Sequence, residues 1–67
     1  MSSDSKRYAV FLIDRRTKIS ERIVVWAVSI KQAAYLAMSE KANAGKLEMK
    51  ATYMKFKVDK VEILNGT

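Results

Sequence analysis

The chain contains no cysteine and no histidine. Without thiolates there is no disulfide and no cysteine-based metal site, and without imidazole there is no histidine base. Zinc fingers, thiol chemistry and Ser-His-Asp triads are excluded together. Glycine occurs only at Gly45 and Gly66, so no glycine-rich phosphate loop is present. Long apolar runs are also missing. A membrane helix needs about 20 apolar residues, whereas the runs Tyr8 to Ile13 and Ile23 to Val28 are far shorter. The first is followed by Asp14-Arg15-Arg16, not by a small-residue cleavage site, so it does not read as a signal peptide. The expectation is a soluble, cytoplasmic chain without membrane association, and the lack of cysteine agrees with a reducing compartment.

What remains is 67 residues, 49% hydrophobic and 30% charged, with 13 Lys+Arg against 7 Asp+Glu and a net charge of +6. This is one small globular domain, and a chain of this size buries only about 60% of its unfolded surface. Tyr8-Ala9-Val10-Phe11-Leu12-Ile13 and Ile23-Val24-Val25-Trp26-Ala27-Val28 are rich in β-branched and aromatic residues and predict two strands. The connection between them carries no Asn-Gly pair, so a looser hairpin than a two-residue turn is expected. Ser29 followed by Gln32 is a capping box opening a helix, whose Ile30, Ala33, Ala34, Ala37 and Met38 share one face and whose stop is Asn43-Ala44-Gly45. Ala27 is expected beneath that helix.

The last third is ambiguous. Leu47, Met49 and Ala51 alternate with charged residues as in a strand, while Leu47, Ala51, Met54 and Val58 also sit at helical spacing. Residues 53–58 favour strand. Met54, Phe56 and Val58 share one parity and Val61 and Ile63 the other, which a bulge near Asp59-Lys60 reconciles. The fold class is therefore α+β: a ββαβ core with a small antiparallel sheet of three to four strands, strand one central, and one helix on one face. Residues 1–7 read as a flexible N-terminus, 8–64 as the single domain and 65–67 as a tail.

One feature does not fit a half-covered sheet. Strands one and two are apolar on both parities, although a sheet with a helix on one side should be polar on the other. If Ile23, Val25 and Ala27 face the helix, Trp26 with Val24 and Val28 lies on the open face. The C-terminal segment could fold across it, or Trp26 could turn inward. Otherwise the face is a partner or self-association surface, for which Trp is a favoured anchor.

The carboxylates are scattered, Ser29 is explained as a cap, and no lysine shows a nucleophile's setting, so no catalytic residue, cofactor or metal ligand is assigned and the chain is not expected to be an enzyme. Basic residues gather in two places. Arg15, Arg16, Lys18 and Arg22 surround the hairpin. Lys50, Lys55, Lys57 and Lys60 line the C-terminal segment, with Tyr53 on the parity of Lys55 and Lys57. A basic strand with an interleaved aromatic suits single-stranded nucleic acid, and edge lysines equally protect a sheet from aggregation.

The segment from Val25 to Ala37 (strand, Ala27, the Ser29 cap, then Ala33 and Ala37 at the fourth and eighth positions after it) resembles the strand-to-helix junction of very small bacteriophage proteins with a strand-strand-helix-strand core. T7-like inhibitors of host RNA polymerase and certain anti-CRISPR proteins are of this kind. The resemblance transfers no binding residue. It implies a compact, non-enzymatic, phage-type protein in the host cytoplasm that acts sterically on a host protein or ribonucleoprotein complex. Partner-binding candidates are Trp26, Val24, Arg15, Arg16 and Arg22. The first alternative is a sequence-tolerant DNA- or RNA-binding protein using Lys50, Tyr53, Lys55 and Lys57. The second is a homodimeric structural protein.

Overall fold

The structure, a computed structural model, describes residues 5–64. The protein is α+β, with a three-stranded antiparallel sheet and two helices in the order β1 (Lys6–Asp14), β2 (Ser20–Ala27), α1 (Ile30–Gly45), α2 (Met49–Lys55) and β3 (Phe56–Leu64). The sheet order is β2-β1-β3, so β1 is central and pairs antiparallel with both neighbours. β1 begins at Lys6, so Lys6 and Arg7 belong to the sheet and not to a frayed terminus. The expectations for residues 1–4 and 65–67 fall outside the described residues.

The hairpin connection is five residues, from Arg15 to Ile19. It closes through Asp14 N–H to the Ile19 carbonyl at 2.9 Å and Lys18 N–H to the Asp14 carbonyl at 2.8 Å, with Lys18 left-handed at φ 65°. The loose turn follows from the absence of the short Gly-containing pairs that a two-residue hairpin requires.

Tyr8, Val10 and Leu12 of β1 join Val25 and Ala27 of β2 beneath Ala33, Ala37 and Met38 of α1 to form the core. Ala27 is under the helix, as its position before the cap suggests. The buried stripe of α1 is Ala33, Ala37, Met38 and Ala42. Ile30 does not belong to it and is 55% exposed. Ser29 Oγ accepts from Gln32 N–H at 3.1 Å, while Gln32 Oε1 accepts from Val28 N–H at 2.8 Å. The amide thus reaches one residue beyond the cap itself.

α1 does not stop at a left-handed glycine. Gly45 is still helical, and Lys46 takes the left-handed conformation at φ 55°, with Leu47 N–H donating back to the Ala42 carbonyl at 2.8 Å. This is a Schellman closure with lysine where glycine would be unstrained.

The second helix settles the ambiguous stretch. Residues 49–55 are helical, so Tyr53 to Lys55 end α2 and β3 starts only at Phe56. Thr52 decides the matter physically. It is fully buried, and its hydroxyl donates to the Glu48 carbonyl at 2.9 Å, a partner one helical turn back. Burying that hydroxyl with no partner would cost about 1–3 kcal/mol. β3 carries the anticipated irregularity: Leu12 pairs with Val58 and Phe11 with Lys60, leaving Asp59 as the extra residue. The bulge lets Phe56 and Val58, and then Val61 after it, pack against the same core.

The two ends of α1 can be tested separately. Ser29→Ala should lower stability by about 1 kcal/mol. Exchanging the closing pair, Gly45→Ala with Lys46→Gly, should raise it by roughly 1–2 kcal/mol, since it removes a helical glycine and a strained left-handed lysine. A Cβ at Gly45 meets only the Leu47 side chain, at an ordinary 3.5 Å. Urea denaturation curves with unchanged slope check both values.

Candidate binding face of the sheet

Both helices pack against the sheet face that bears Tyr8, Val10 and Leu12. The opposite face is uncovered among the described residues. Cross-strand register places its side chains in four rows. Trp26, Arg7 and Leu64 form the first row, and Val24, Ala9 and Glu62 the second. Arg22, Phe11 and Lys60 form the third, and Ser20, Ile13 and Lys57 the fourth, nearest the hairpin. Directly opposed residues share a face, and rows lie about 6.8 Å apart along the strands.

Trp26 is 63% exposed, so it does not turn into the core and is not covered by β3. Val24 beside it is also exposed. Ala9 is 0% exposed although it lies on the uncovered face. A methyl group on the central strand is overtopped by its taller neighbours, whose side chains close over Ala9 between the Trp26 row and the Phe11 row. The Lys60 ammonium sits 4.9 Å from the centroid of the Phe11 ring and also pairs with Glu62 at 3.3 Å. Glu62 is the only acidic side chain in these four rows, and it is thereby engaged.

The charge is unevenly distributed. The four rows hold Arg7, Arg22, Lys57 and Lys60 against Glu62. The hairpin tip holds Arg15, Arg16 and Lys18 against Asp14. Together they carry +5 of the net +6, and all other charges, six basic against five acidic, nearly cancel. On the helix side, for example, Lys41 is paired with Glu21 and lies over the Phe56 ring.

The sequence-derived candidates separate accordingly. Trp26, Val24 and Arg22 come together on the open face. Arg16 is exposed at the hairpin tip, where Asp14, Arg15, Arg16, Met54 and Lys55 line a shallow cleft of about 330 Å³. Arg15 plays a structural part, for its backbone N–H donates to the Lys55 carbonyl at 2.9 Å and its Nε to the Tyr53 carbonyl at 3.3 Å. It thus ties the hairpin to the carbonyl end of α2, where a cation is favourable. Of the proposed basic strand, Lys50, Tyr53 and Lys55 lie on α2, so the alternation of Tyr53 with Lys55 and Lys57 does not exist; only Lys57 is on the sheet. Arg7 and Lys60 join the face without having been site candidates in the sequence. Arg7 reads there as part of a polar terminus, and the face of Lys60 depends on which side of the bulge it falls.

Asp14 shapes the tip. Its Oδ1 accepts from Arg16 N–H at 2.8 Å and Thr17 N–H at 3.0 Å. The Thr17 and Arg16 amides hold its pKa below the ordinary value, helped by the nearby Lys55 and Arg16 charges and opposed by partial desolvation. Among the described residues no group of three or more acidic side chains is placed to hold a metal, and no helix is long and apolar enough to cross a membrane. Comparison with known proteins finds no matching family model, no matching curated protein and no matching solved structure.

The tip should therefore be pH-sensitive with a definite sign. A carboxylate whose folded pKa is depressed adds stability that is present above its unfolded pKa and is lost as pH falls through the folded value. The Arg16 and Thr17 amide resonances should shift together with an inflection below the usual aspartate range, and Asp14→Asn should abolish that titration. An inflection at or above the ordinary value would contradict the assignment.

Proposed function

We propose that the protein is a non-enzymatic binding module that acts sterically, with its open sheet face and hairpin tip docked on a negatively charged surface of a larger protein or ribonucleoprotein assembly. The observation that carries this reading is the coincidence of charge and exposure. The open sheet face holds three of the six net positive charges and the most exposed large aromatic, and the adjoining hairpin tip holds two more. An exposed Trp with Arg beside it is the composition of a docking hot spot, and complementary charge speeds encounter and sets orientation. The resemblance of residues 25–37 to the junction of small phage proteins supports the same kind of role, with a host complex as the implied partner.

The same charges argue against the homodimer. A two-fold dimer through this face would bring together two surfaces of net charge +3 each, and like charges across an interface are repulsive. The protein should therefore sediment as a monomer at low ionic strength, up to hundreds of micromolar. A dimer at about 50 mM salt that Trp26→Ala dissociates would make the face a self-association surface instead.

Docking itself is tested by affinity capture from a lysate of the source cell. Trp26→Ala and Arg22→Glu should each abolish retention of the captured assembly, while Tyr35→Ala, an exposed aromatic on the helix side, should retain it. Equal retention by all three variants would refute the open face as the working surface.

A further inference from the structure

We infer that the ligand seated on the open face is a single strand of nucleic acid, lying across the sheet with a base stacked on Trp26, a second on Phe11 and phosphates held by Arg7, Arg22, Lys57 and Lys60. This rests on the open face being the working surface and adds the chemistry of what it meets.

Three observations point to a polyanion with aromatic faces rather than to an acidic protein surface. First, the cations encircle the two aromatics instead of lying apart from them. In the register, Arg7 is directly opposite Trp26, and Arg22 and Lys60 flank Phe11 on either side. A chain that alternates phosphate and base needs that interleaving, whereas the buried centre of a protein interface is depleted in charge and especially in lysine. Second, Trp26 stands proud of the surface at 63% exposure, while Ala9 in the adjoining row is closed over by its neighbours. A flat platform suits stacking on an aromatic ring, which is tolerant of base identity because every base has a π-face. The bases of an intact duplex are already stacked and cannot meet Trp26 in this way. Third, the Phe11 ring already holds a cation: the Lys60 ammonium lies 4.9 Å from its centroid. A base arriving on that ring displaces the ammonium toward the adjoining phosphate, so one side chain moves from ring to backbone without leaving the face.

The two aromatics are separated by the Ala9 row, about 14 Å along the strands. This leaves room for an intervening nucleotide over that row. Glu62, the only carboxylate in the four rows, is held by Lys60 in the free protein. It lies nearest that middle nucleotide and disfavours a phosphate directly above Ala9.

The probe is a labelled twelve-residue oligothymidylate, read by anisotropy and by Trp26 emission between about 50 and 300 mM salt. Four phosphate contacts predict a slope of log affinity against log salt near −2.8, from about −0.7 per contact on single strands. Arg22→Gln with Lys57→Gln should reduce its magnitude by about 1.4. Lys31→Gln with Lys50→Gln removes the same charge from the helix side and should leave it unchanged. Trp26→Ala should weaken binding roughly 5- to 150-fold, and the oligonucleotide should quench Trp26 emission in the wild type. Thermal melts establish that each variant is folded.

Equal slope losses from the two double variants, or an unchanged affinity in Trp26→Ala, would overturn the inference, as would equally tight binding of a twelve-base-pair duplex. A twelve-residue polyglutamate distinguishes the levels of failure. If it binds in a Trp26-dependent way and the oligonucleotide does not, the ligand is an acidic protein segment and the open face stands as the docking surface. If the open-face variants change the binding of neither probe, both the ligand and the surface are wrong.

Discussion

Everything in this protein depends on the close packing of an alanine stripe onto the sheet. Ala33 and Ala37 of α1 are buried in the core over β1 and β2, with Ala27 of β2 among the residues beneath. Small side chains let the helix approach closely enough for Tyr8, Val10, Leu12, Val25 and Met38 to be sealed from water. Each of those contributes on the order of 1.5–3 kcal/mol when fully buried. The rest of the described chain forms β3 and the short α2, and no element among the described residues covers the other face. The principal extents are 37 × 21 × 16 Å, and the thinnest accommodates two layers where a third would add about 10 Å. Among the described residues, one face of the sheet is therefore left to water or to a partner.

That face survives in water by particular means. Ala9 is kept low on the central strand, where its neighbours shield it completely. Phe11 lies under Lys60, and long basic side chains lay their methylene stems over apolar surface while their charges stay hydrated. The bulge at Asp59 matters here as well as for the core, because it sets which β3 residues face outward: Lys57 on one side of it and Lys60 on the other. A β3 without the extra residue would turn either Val58 or Val61 away from the helices.

Much of this is legible in the sequence, for reasons that can be named. Two short β-branched runs, a Ser29–Gln32 cap and an alanine stripe leave little freedom in element type, and the parity change between Val58 and Val61 requires the bulge. The exposure of Trp26 follows from parity too, once Ile23, Val25 and Ala27 are placed under the helix. The second helix is hidden because Leu47, Met49, Ala51 and Met54 satisfy both periods; Thr52, polar and therefore easily passed over, is the residue that excludes the strand. The stop at Lys46 is hidden because Gly45 immediately before it is the residue that ordinarily takes the left-handed position. The basic half of the candidate face is hidden for a topological reason. Arg7 and Lys60 lie far apart in sequence, yet each sits on the open face only because both edges of β1 are paired.

The charge on that face is not explained by stability. Lysine or arginine on an edge strand guards against sheet-to-sheet association, and this accounts for Arg22 on β2 and for Lys57 and Lys60 on β3. It does not account for Arg7. That residue is on the central strand, hydrogen-bonded on both sides, where there is no edge to guard. Nor does it account for Trp26, since an exposed indole on an edge strand invites the contacts that edge charges prevent. On the helix side Lys41 is paired with Glu21. On the open face it leaves three of four cations without an acidic partner in the same four rows, accepting mutual repulsion that folding alone would favour relieving. Repulsion of this kind is relieved when a negatively charged ligand binds. An arginine on the central strand opposite an exposed tryptophan therefore marks the face as one whose charge is completed by its partner.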